Sequence, residues 1–480
     1  MAFPEPWCGR AGPLACLPPR PQPYPAAGGP HLAPCLHPSP HVLPAHKEAA
    51  LTVTTDTLRS APDAPPPGET VATLQVDPRP RLVVGMAAGQ LGLFLALLTP
   101  ILVSLQLKVQ SIVPEDDQVT SLGIVTTTGS VAAMLANPFF GRLSDRTTSR
   151  FGRRRPWLVL GMMGLLLGLV IIATASSVAV ITVGFVIASA SANAALAAFV
   201  ATVADNVPER KRGKISGLLG IMQNLAPTAG TWIAKSFTDQ MLLLFLVPSV
   251  IGVLLVIGYV LVLPDKPLDQ KPAREGFKAV LRTYWVNPRQ HPDFAWAWLS
   301  RFLLTLANWM FTTFRLIYLQ HEMRLTAAEA TETLATGVLI YGVCVMGSAQ
   351  SAGWLSDRFG RRKPFIAVAA VLFGLGMLIL SRSDTIAMFY GAEIVLGLGF
   401  GVYLGVDLAL VIDVLPDPEN PSKDLGIFNI AMSAPQIFAP ALGALLISLG
   451  GGHNYSILLI TSSLVCLGGA LAILPVRTVR

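Results

Sequence analysis

Long apolar runs alternate with short polar breaks along most of this chain. From Arg81 onward the runs are about 18 to 26 residues long, which is the length that an α-helix needs to cross the hydrocarbon of a bilayer. The pattern predicts twelve membrane-spanning helices, at residues 82–107, 118–140, 156–175, 178–203, 215–236, 241–263, 294–319, 330–351, 364–381, 386–411, 425–448 and 454–475.

The composition indicates an integral membrane protein. Of the 480 residues, 52% are hydrophobic and 13% are charged, which leaves too little polar side-chain surface to cover a water-soluble globule. The net charge of +7 lies mostly in short loops between apolar runs, where basic residues set membrane orientation. We therefore expect the lipid bilayer as a partner, and no nucleic acid.

Two loop sequences occur twice, which indicates a doubled architecture. Residues 141–158 read GRLSDRTTSRFGRRRPWL, and residues 353–366 read GWLSDRFGRRKPFI. A second pair begins at Asp205 with DNVPERKRGKISG and at Asp413 with DVLPDPENPSKDLGIFN. The two pairs are 212 and 208 positions apart. Such a repeat predicts two pseudo-symmetric halves of six helices each.

The chain divides into four predicted parts. Residues 1–78 are rich in Pro, Gly, Ala and His and lack apolar periodicity, so we expect a disordered tail without a secretory signal peptide. Residues 79–263 and 294–480 form the two six-helix halves. Residues 264–293, which contain six basic side chains, form a cytoplasmic linker between them.

The sequence predicts neither a metal site nor a cofactor. The five cysteines are scattered and form no disulfide framework or zinc-ligand set. In the tail, Cys35 lies near His31, His37 and His41, but a low-complexity tail accounts for this grouping without a metal. Because no Ser/His/Asp or Cys/His set is recognisable, we do not expect an enzyme.

Basic residues concentrate in the loops after the second, fourth and eighth runs and in the linker, whereas the loops after runs 1, 3, 5, 9 and 11 hold few. The positive-inside bias places these basic loops, and with them both chain termini, in the cytoplasm. We expect a protein of the plasma membrane.

The paired basic loops and the twelve runs resemble the signature of the major facilitator superfamily, and the resemblance covers residues 81–476. It implies an all-α membrane fold and alternating access, in which two halves rock about a central substrate site. The longer first loop, SDRTTSRFGRRRP, and GQLGLFLALLTPILVSL in the first run resemble more particularly the glycoside-pentoside-hexuronide cation symporters and the plant sucrose transporters.

Each basic loop follows a carboxylate that ends a predicted helix on the cytoplasmic side. Asp145 is positioned to dock at the helix 11 N-terminus near Gly426, and Asp357 at the helix 5 N-terminus near Gly213, because helix N-termini attract negative charge. Such contacts would latch the outward-open state. The alternative is that these loops only fix topology. The predicted gating residues are Asp145, Arg146, Arg153, Arg154, Asp357, Arg358, Arg361 and Arg362.

Four ionisable residues lie deep in the second half: Arg301 and Arg315 in run 7, and Glu393 and Asp407 in run 10. In each run the two charges are 14 residues apart, close to four turns, so they share one helix face. Arg301 and Asp407 lie about 8 to 10 Å from the cytoplasmic side at about 1.5 Å per residue, and Arg315 and Glu393 match near the outer side. We predict the ion pairs Arg301–Asp407 and Arg315–Glu393.

Helices 7 and 10 line the cavity in the resembled family, so these pairs are candidates for proton coupling. A carboxylate in a partly dry cavity can take up a proton when its arginine turns to the substrate. The alternative is a structural pair that only compensates buried charge, and Arg315 can also snorkel to the interface.

Amide and aromatic side chains in the runs are candidates for binding a hydroxyl-rich substrate, or for helix–helix hydrogen bonds. The first and fourth runs lack the charged residues of the resembled symporters, which argues against a sodium site of that type. The candidates are Gln90, Asn193, Gln223, Asn224, Asn308, Tyr403 and Gln436.

Together these features predict a monomeric, proton-coupled transporter that imports a sugar or glycoside. An exporter of drugs or secondary metabolites uses the same architecture, and the sparse charge of the first half suits an apolar cargo. A non-transporting receptor or scaffold should carry large soluble domains. Residue types alone do not fix cargo, direction or driving ion.

Overall fold

The computed structural model describes residues 78–265, 287–416, 421–449 and 453–476. Regular structure in these residues is helical throughout. Residues 1–77 of the predicted tail and 266–286 of the predicted linker lie outside the described part. The helices are α1 Pro80–Gln110, α2 Glu115–Asp145, α3 Arg155–Thr174, α4 Val178–Asn206, α5 Glu209–Lys235, α6 Met241–Val262, α7 Pro292–Glu322, α8 Ala327–Phe359, α9 Lys363–Leu380, α10 Ile386–Asp413, α11 with segments Pro421–Ser433 and Pro435–Ser448, and α12 Tyr455–Ile473.

Eleven helices in the described residues are long and apolar enough to cross a membrane, whereas the sequence predicted twelve such spans. The exception is α5, a continuous helix whose residues are on average more polar than those of the other spans. Four of its first six residues are basic, and Gln223 and Asn224 lie in its middle. Polar side chains in a span avoid lipid, so this composition is typical of a helix that faces the interior between the halves.

Proline accounts for two irregular helices. Pro100 lacks a backbone N–H, and α1 passes through a π-helical turn at Pro100–Ser104 before it continues to Gln110. In α11 the two segments are separated at Ala434, immediately before Pro435. Despite these distortions, α1 still extends from Pro80 to Gln110 and α11 from Pro421 to Ser448.

Glycines allow α1 and α6 to pack backbone against backbone. A Cβ added to Gly92 would lie 2.6 Å from the carbonyl oxygen of Gly252, and one added to Gly252 would collide with the carbonyl oxygen of Gly92. Only residues without a side chain permit this approach. Close backbone packing at small residues is a common basis for helix association in membranes.

The packing of the helices repeats between the halves. Helix α1 packs on α6 and α3 on α4, and in the second half α7 packs on α12 and α9 on α10. The two most extensive contacts between the halves are equivalent, α2 with α11 and α8 with α5, and α1 also contacts α7. This repeated arrangement is the one expected of two six-helix units related by a pseudo-two-fold axis, so the predicted fold class is confirmed.

Candidate functional site

The bundle has two chemically different ends. The basic end holds the loops at residues 146–154, 207–208 and 360–362, and the opposite end holds those at 111–114, 236–240 and 323–326. At the opposite end the halves are joined: Lys235 Nζ lies 2.5 Å from Glu332 Oε1, and the backbone N–H of Ile317 donates to Gln106 Oε1 at 3.2 Å. Gln110 and Gln320 also share a hydrogen bond there.

At the basic end the α5 surface is open. A Cβ added at Gly213, Gly217 or Gly220 meets no atom of the described residues within 4 Å. The side-chain contacts between the halves described above lie at the opposite end, so we interpret this arrangement as a conformer closed at the opposite end and open at the basic end. A transporter that exposes a central site to each side in turn must also adopt the reverse conformer, which is open at the opposite end and closed at the basic end.

The first basic loop is built around Arg154, whose side chain is buried. Its guanidinium contacts Asp145 Oδ1 at 2.6 Å and Asp205 Oδ2 at 3.1 Å and donates to Ser144 Oγ at 3.0 Å. Arg153 adds a second contact to Asp205, at 2.7 Å. This network ties the end of α2 to the end of α4 within one half.

The second basic loop repeats this construction. Arg362 lies 2.8 Å from Asp413, which matches the Arg154–Asp205 contact. Arg155 donates to the carbonyl oxygen of Leu263 at the end of α6, and Lys363 donates to that of Val476 after α12. The duplication seen in the sequence therefore extends to the side-chain contacts that brace each loop.

The two predicted latch carboxylates do not dock across the halves in this conformer. Asp145 pairs with Arg154 of its own half, and Asp357 is exposed while Gly213, its predicted receiver, has open space at its Cβ position. Arg358 lies over the Trp354 ring, Arg361 is exposed and Arg146 is half-buried. Since the latch belongs to the conformer closed at the basic end, it stays a prediction.

The structure brings the predicted membrane charges together in pairs. Arg301 Nη1 lies 3.1 Å from Asp407 Oδ2, and both side chains are less than a tenth exposed. The Arg301 guanidinium also lies 5.0 Å from the centre of the Phe428 ring. Tyr403, one turn before Asp407, is buried beside them. The pair links α7 to α10 near the basic end.

The second pair, Arg315 with Glu393, lies nearer the opposite end, and Glu393 is fully buried. Three aromatic rings surround the Arg315 guanidinium at 5.4 to 5.8 Å from their centres, those of Phe311, Tyr341 and Phe389. Cation–π contacts of this kind stabilise a desolvated guanidinium. This pair is thus more enclosed than Arg301–Asp407.

The amide candidates fall into separate groups. Gln90 donates to Gln223 at 3.4 Å and so links α1 to α5. Asn193 accepts from Asn137 at 3.3 Å, between α4 and α2, and Asn308 accepts from the Tyr341 hydroxyl at 3.3 Å. The side chain of Asn224 donates to the backbone of its own helix, and Gln436 is half-buried in α11.

Two polar residues of the bundle interior could not be identified from the sequence. Lys108 is buried and donates to the carbonyl oxygen of Ala173 at 2.9 Å; the predicted first span ended at residue 107, so this lysine was assigned to a loop. Tyr341 contacts both Asn308 and Arg315. Its position on α8, a different helix, gave no spacing signal that would connect it to them.

Comparisons with known proteins agree with this architecture. The family model described as Major Facilitator Superfamily matches residues 82–351 and 340–480. The crystal structure of the nucleoside transporter NupG superposes with a TM-score of 0.64 at 13% identity, over 82% of this chain and 98% of that one. At that identity the likeness shows the fold alone.

Two curated relatives match over shorter stretches. The multidrug resistance protein MdtL of Shewanella sp. (strain ANA-3) is 32% identical over 123 residues, 26% of this chain and 30% of the relative. The bacillibactin exporter of Bacillus subtilis (strain 168) is 29% identical over 117 residues, 23% of this chain and 29% of the relative. The chain thus spans less than a third of the length of either relative. By the match of the family model to both halves, this chain belongs to the major facilitator superfamily and is a multi-pass membrane protein.

Proposed function

We propose that this chain is a proton-coupled exporter of uncharged or amphipathic organic compounds. The observation that carries the proposal is the buried Arg301–Asp407 pair, which joins two helices of one half at 3.1 Å. The basic end is taken as cytoplasmic from the distribution of Arg and Lys. The conformer open at that end is then the one that loads cargo from the cytoplasm.

Proton coupling follows from the energetics of the pair. An ionised carboxylate is stable in a water-poor interior only while it has a charged or hydrogen-bonding partner, and loss of that partner costs about 3 to 5 kcal/mol. When the helices move and Arg301 separates from Asp407, the carboxylate takes up a proton and becomes neutral. A conformational step and a protonation step are thereby linked.

The chemistry of the cargo is inferred from the polar groups near the interior. They are amides and a phenol, including Gln90 and Gln223 at the interface of α1 and α5, while the ionisable groups Arg301, Asp407, Arg315 and Glu393 are engaged with one another. Such surroundings favour neutral or amphipathic molecules. The names of the two curated relatives, a multidrug resistance protein and a bacillibactin exporter, favour export.

A second candidate is proton-coupled uptake of a sugar or glycoside. It is favoured by the resemblance of the first basic loop and the first span to glycoside-pentoside-hexuronide and sucrose symporters. The Gln90–Gln223 amide pair offers the donors and acceptors that hydroxyl groups require. The two candidates share the coupling pair and differ in cargo and direction.

The experiment that tests the exporter uses proteoliposomes with the basic end facing the bath. With an acidic lumen, the exporter accumulates amphipathic dyes in the lumen, because protons leave as the dye enters. The same vesicles are assayed with radiolabelled sugars under the reverse gradient. Sugar accumulation without dye transport would overturn the exporter in favour of the symporter. If neither pH gradient drove accumulation of dye or sugar above the bath concentration, proton coupling would be contradicted.

A further inference from the structure

We infer that Glu115, His321 and His453 form a binding site for Zn²⁺ at the opposite end of the bundle, bridging the two halves. One ligand atom from each of these residues lies within 4.8 Å of those from the other two. His321 Nδ1 and Glu115 Oε1 are 3.1 Å apart. Asp116 provides a fourth group, with its Oδ1 3.8 Å from His453 Nε2.

The ligands come from both halves of the transporter. Glu115 and Asp116 begin α2 in the first half. His321 lies at the end of α7, and His453 lies two residues before α12, both in the second half. An ion held by this set therefore connects the halves directly.

The donor set matches the coordination chemistry of zinc. Two imidazole nitrogens with carboxylate oxygens are ligands that Zn²⁺ prefers, at about 2.0 to 2.2 Å. Around a tetrahedral ion with such bonds, ligand atoms lie about 3.3 Å apart. The Glu115–His321 separation of 3.1 Å already has this spacing, and the remaining groups need a contraction of about 1.5 Å or less.

His321 is packed against neighbouring rings, and the site remains reachable from solvent. The rings of His321 and His453 stack with their centres 4.9 Å apart, and Tyr455 stacks on His321 at 6.0 Å. Glu115 and His453 are exposed, whereas His321 is only 17% exposed. An ion from the bath can therefore reach a site whose central ligand is held in place by its neighbours.

A bound ion would act as a clamp. The opposite end is closed in this conformer by contacts such as Lys235–Glu332, and alternating access requires that end to open. Zn²⁺ held between α2 and α7 would stabilise the closed arrangement and inhibit transport. The clamp rests on the proposed transport cycle, whereas binding of the ion does not.

Binding is tested by thermal unfolding of tag-free, full-length protein in detergent, titrated with ZnCl₂ or MgCl₂. Zn²⁺ should raise the Tm and Mg²⁺ should not, because Mg²⁺ favours oxygen ligands. The variants His321→Asn, His453→Asn and Glu115→Gln should each need at least about ten-fold more Zn²⁺ for the half-maximal shift. His291→Asn, at the basic end, should behave as wild type.

Two outcomes would overturn the site. The first is a Tm that Zn²⁺ leaves unchanged in the wild type. The second is a shift that survives in the His321 and His453 variants but is lost when His31, His37 and His41 of the tail are replaced by Ala. A comparable Tm for all variants without metal shows that each is folded.

The clamp is tested by the accessibility of a cysteine placed at Gly213, in a background in which the five native cysteines are replaced by Ala. Gly213 faces open space when the basic end is open. Zn²⁺ should increase the rate at which an impermeant maleimide labels Gly213→Cys, and should not do so when His321→Asn is added. Zinc binding with an unchanged labelling rate would retain the site and exclude the clamp.

Discussion

At the scale of single residues, the two ion pairs of α7 and α10 show how far sequence reasoning extends. Their depth and their spacing of 14 residues on each helix were sufficient to predict which arginine meets which carboxylate. Phe311 lies one turn before Arg315 on the same helix, but Tyr341 and Phe389 come from α8 and α10, whose rotations depend on packing, so those two rings were not predictable. Lys108 was missed because the span extends to Gln110.

The fully buried Glu393 leads to a prediction about stability. Glu393→Gln leaves the Arg315 guanidinium with an uncompensated charge, so we expect a loss of about 3 to 5 kcal/mol. The double variant Arg315→Met with Glu393→Gln should recover most of that loss, since both charges are gone. Thermal unfolding in detergent measures both effects. A single variant as stable as the wild type would show that the pair does not compensate buried charge.

At the scale of helices, the apolar pattern located all twelve helices, with ends up to eight residues off at the end of α8, and missed the polar character of α5. Hydropathy measures the preference of a residue for an apolar environment over water. The composition of α5 is instead that of a helix that begins with basic residues at the membrane surface and faces the interior between the halves. The helix begins at Glu209. The apolar pattern excluded the basic residues that follow, so the predicted start lies six residues later. The π-helical turn of α1 was also beyond reach, since Pro100 alone does not determine how the freed backbone groups are satisfied.

The contact of α1 with α6 gives a prediction with a matched control. Gly92→Ala places a Cβ 2.6 Å from the Gly252 carbonyl oxygen, so the helices must separate, at a cost of about 1 to 3 kcal/mol. Gly258→Ala, on α6, meets nothing within 4 Å among the described residues. It should be neutral or stabilising by up to about 1 kcal/mol. Thermal unfolding distinguishes the two, and equal effects would contradict the close packing.

At the scale of the whole molecule, the duplication is the strongest signal in the sequence and sets the fold. The braces Arg154–Asp205 and Arg362–Asp413 are counterparts in the two halves, as the repeated loops indicated. The latch partners could not be read in the same way, because they depend on which end of the transporter is closed. The structure holds the conformer interpreted as open at the basic end, so it shows neither latch contact.

The proposed latch predicts an effect that this conformer alone does not reveal. Asp357→Asn should lower the transport rate at least about ten-fold, because it removes about 1.4 kcal/mol or more from the state closed at the basic end. Its Tm should stay within a degree or two, since Asp357 is exposed here. Asp384→Asn, an exposed change at the opposite end, serves as the control. Normal transport by Asp357→Asn would leave the basic loops with a role in topology alone.

The central claim is that Asp407 couples proton movement to transport. The direct measurement compares wild type with Asp407→Asn in proteoliposomes, in two assays: accumulation driven by a pH gradient, and exchange of labelled for unlabelled cargo without a gradient. Because an amide does not take up the proton, the variant should lose gradient-driven accumulation and retain exchange. Accumulation against a concentration gradient by Asp407→Asn at the wild-type level would contradict the account.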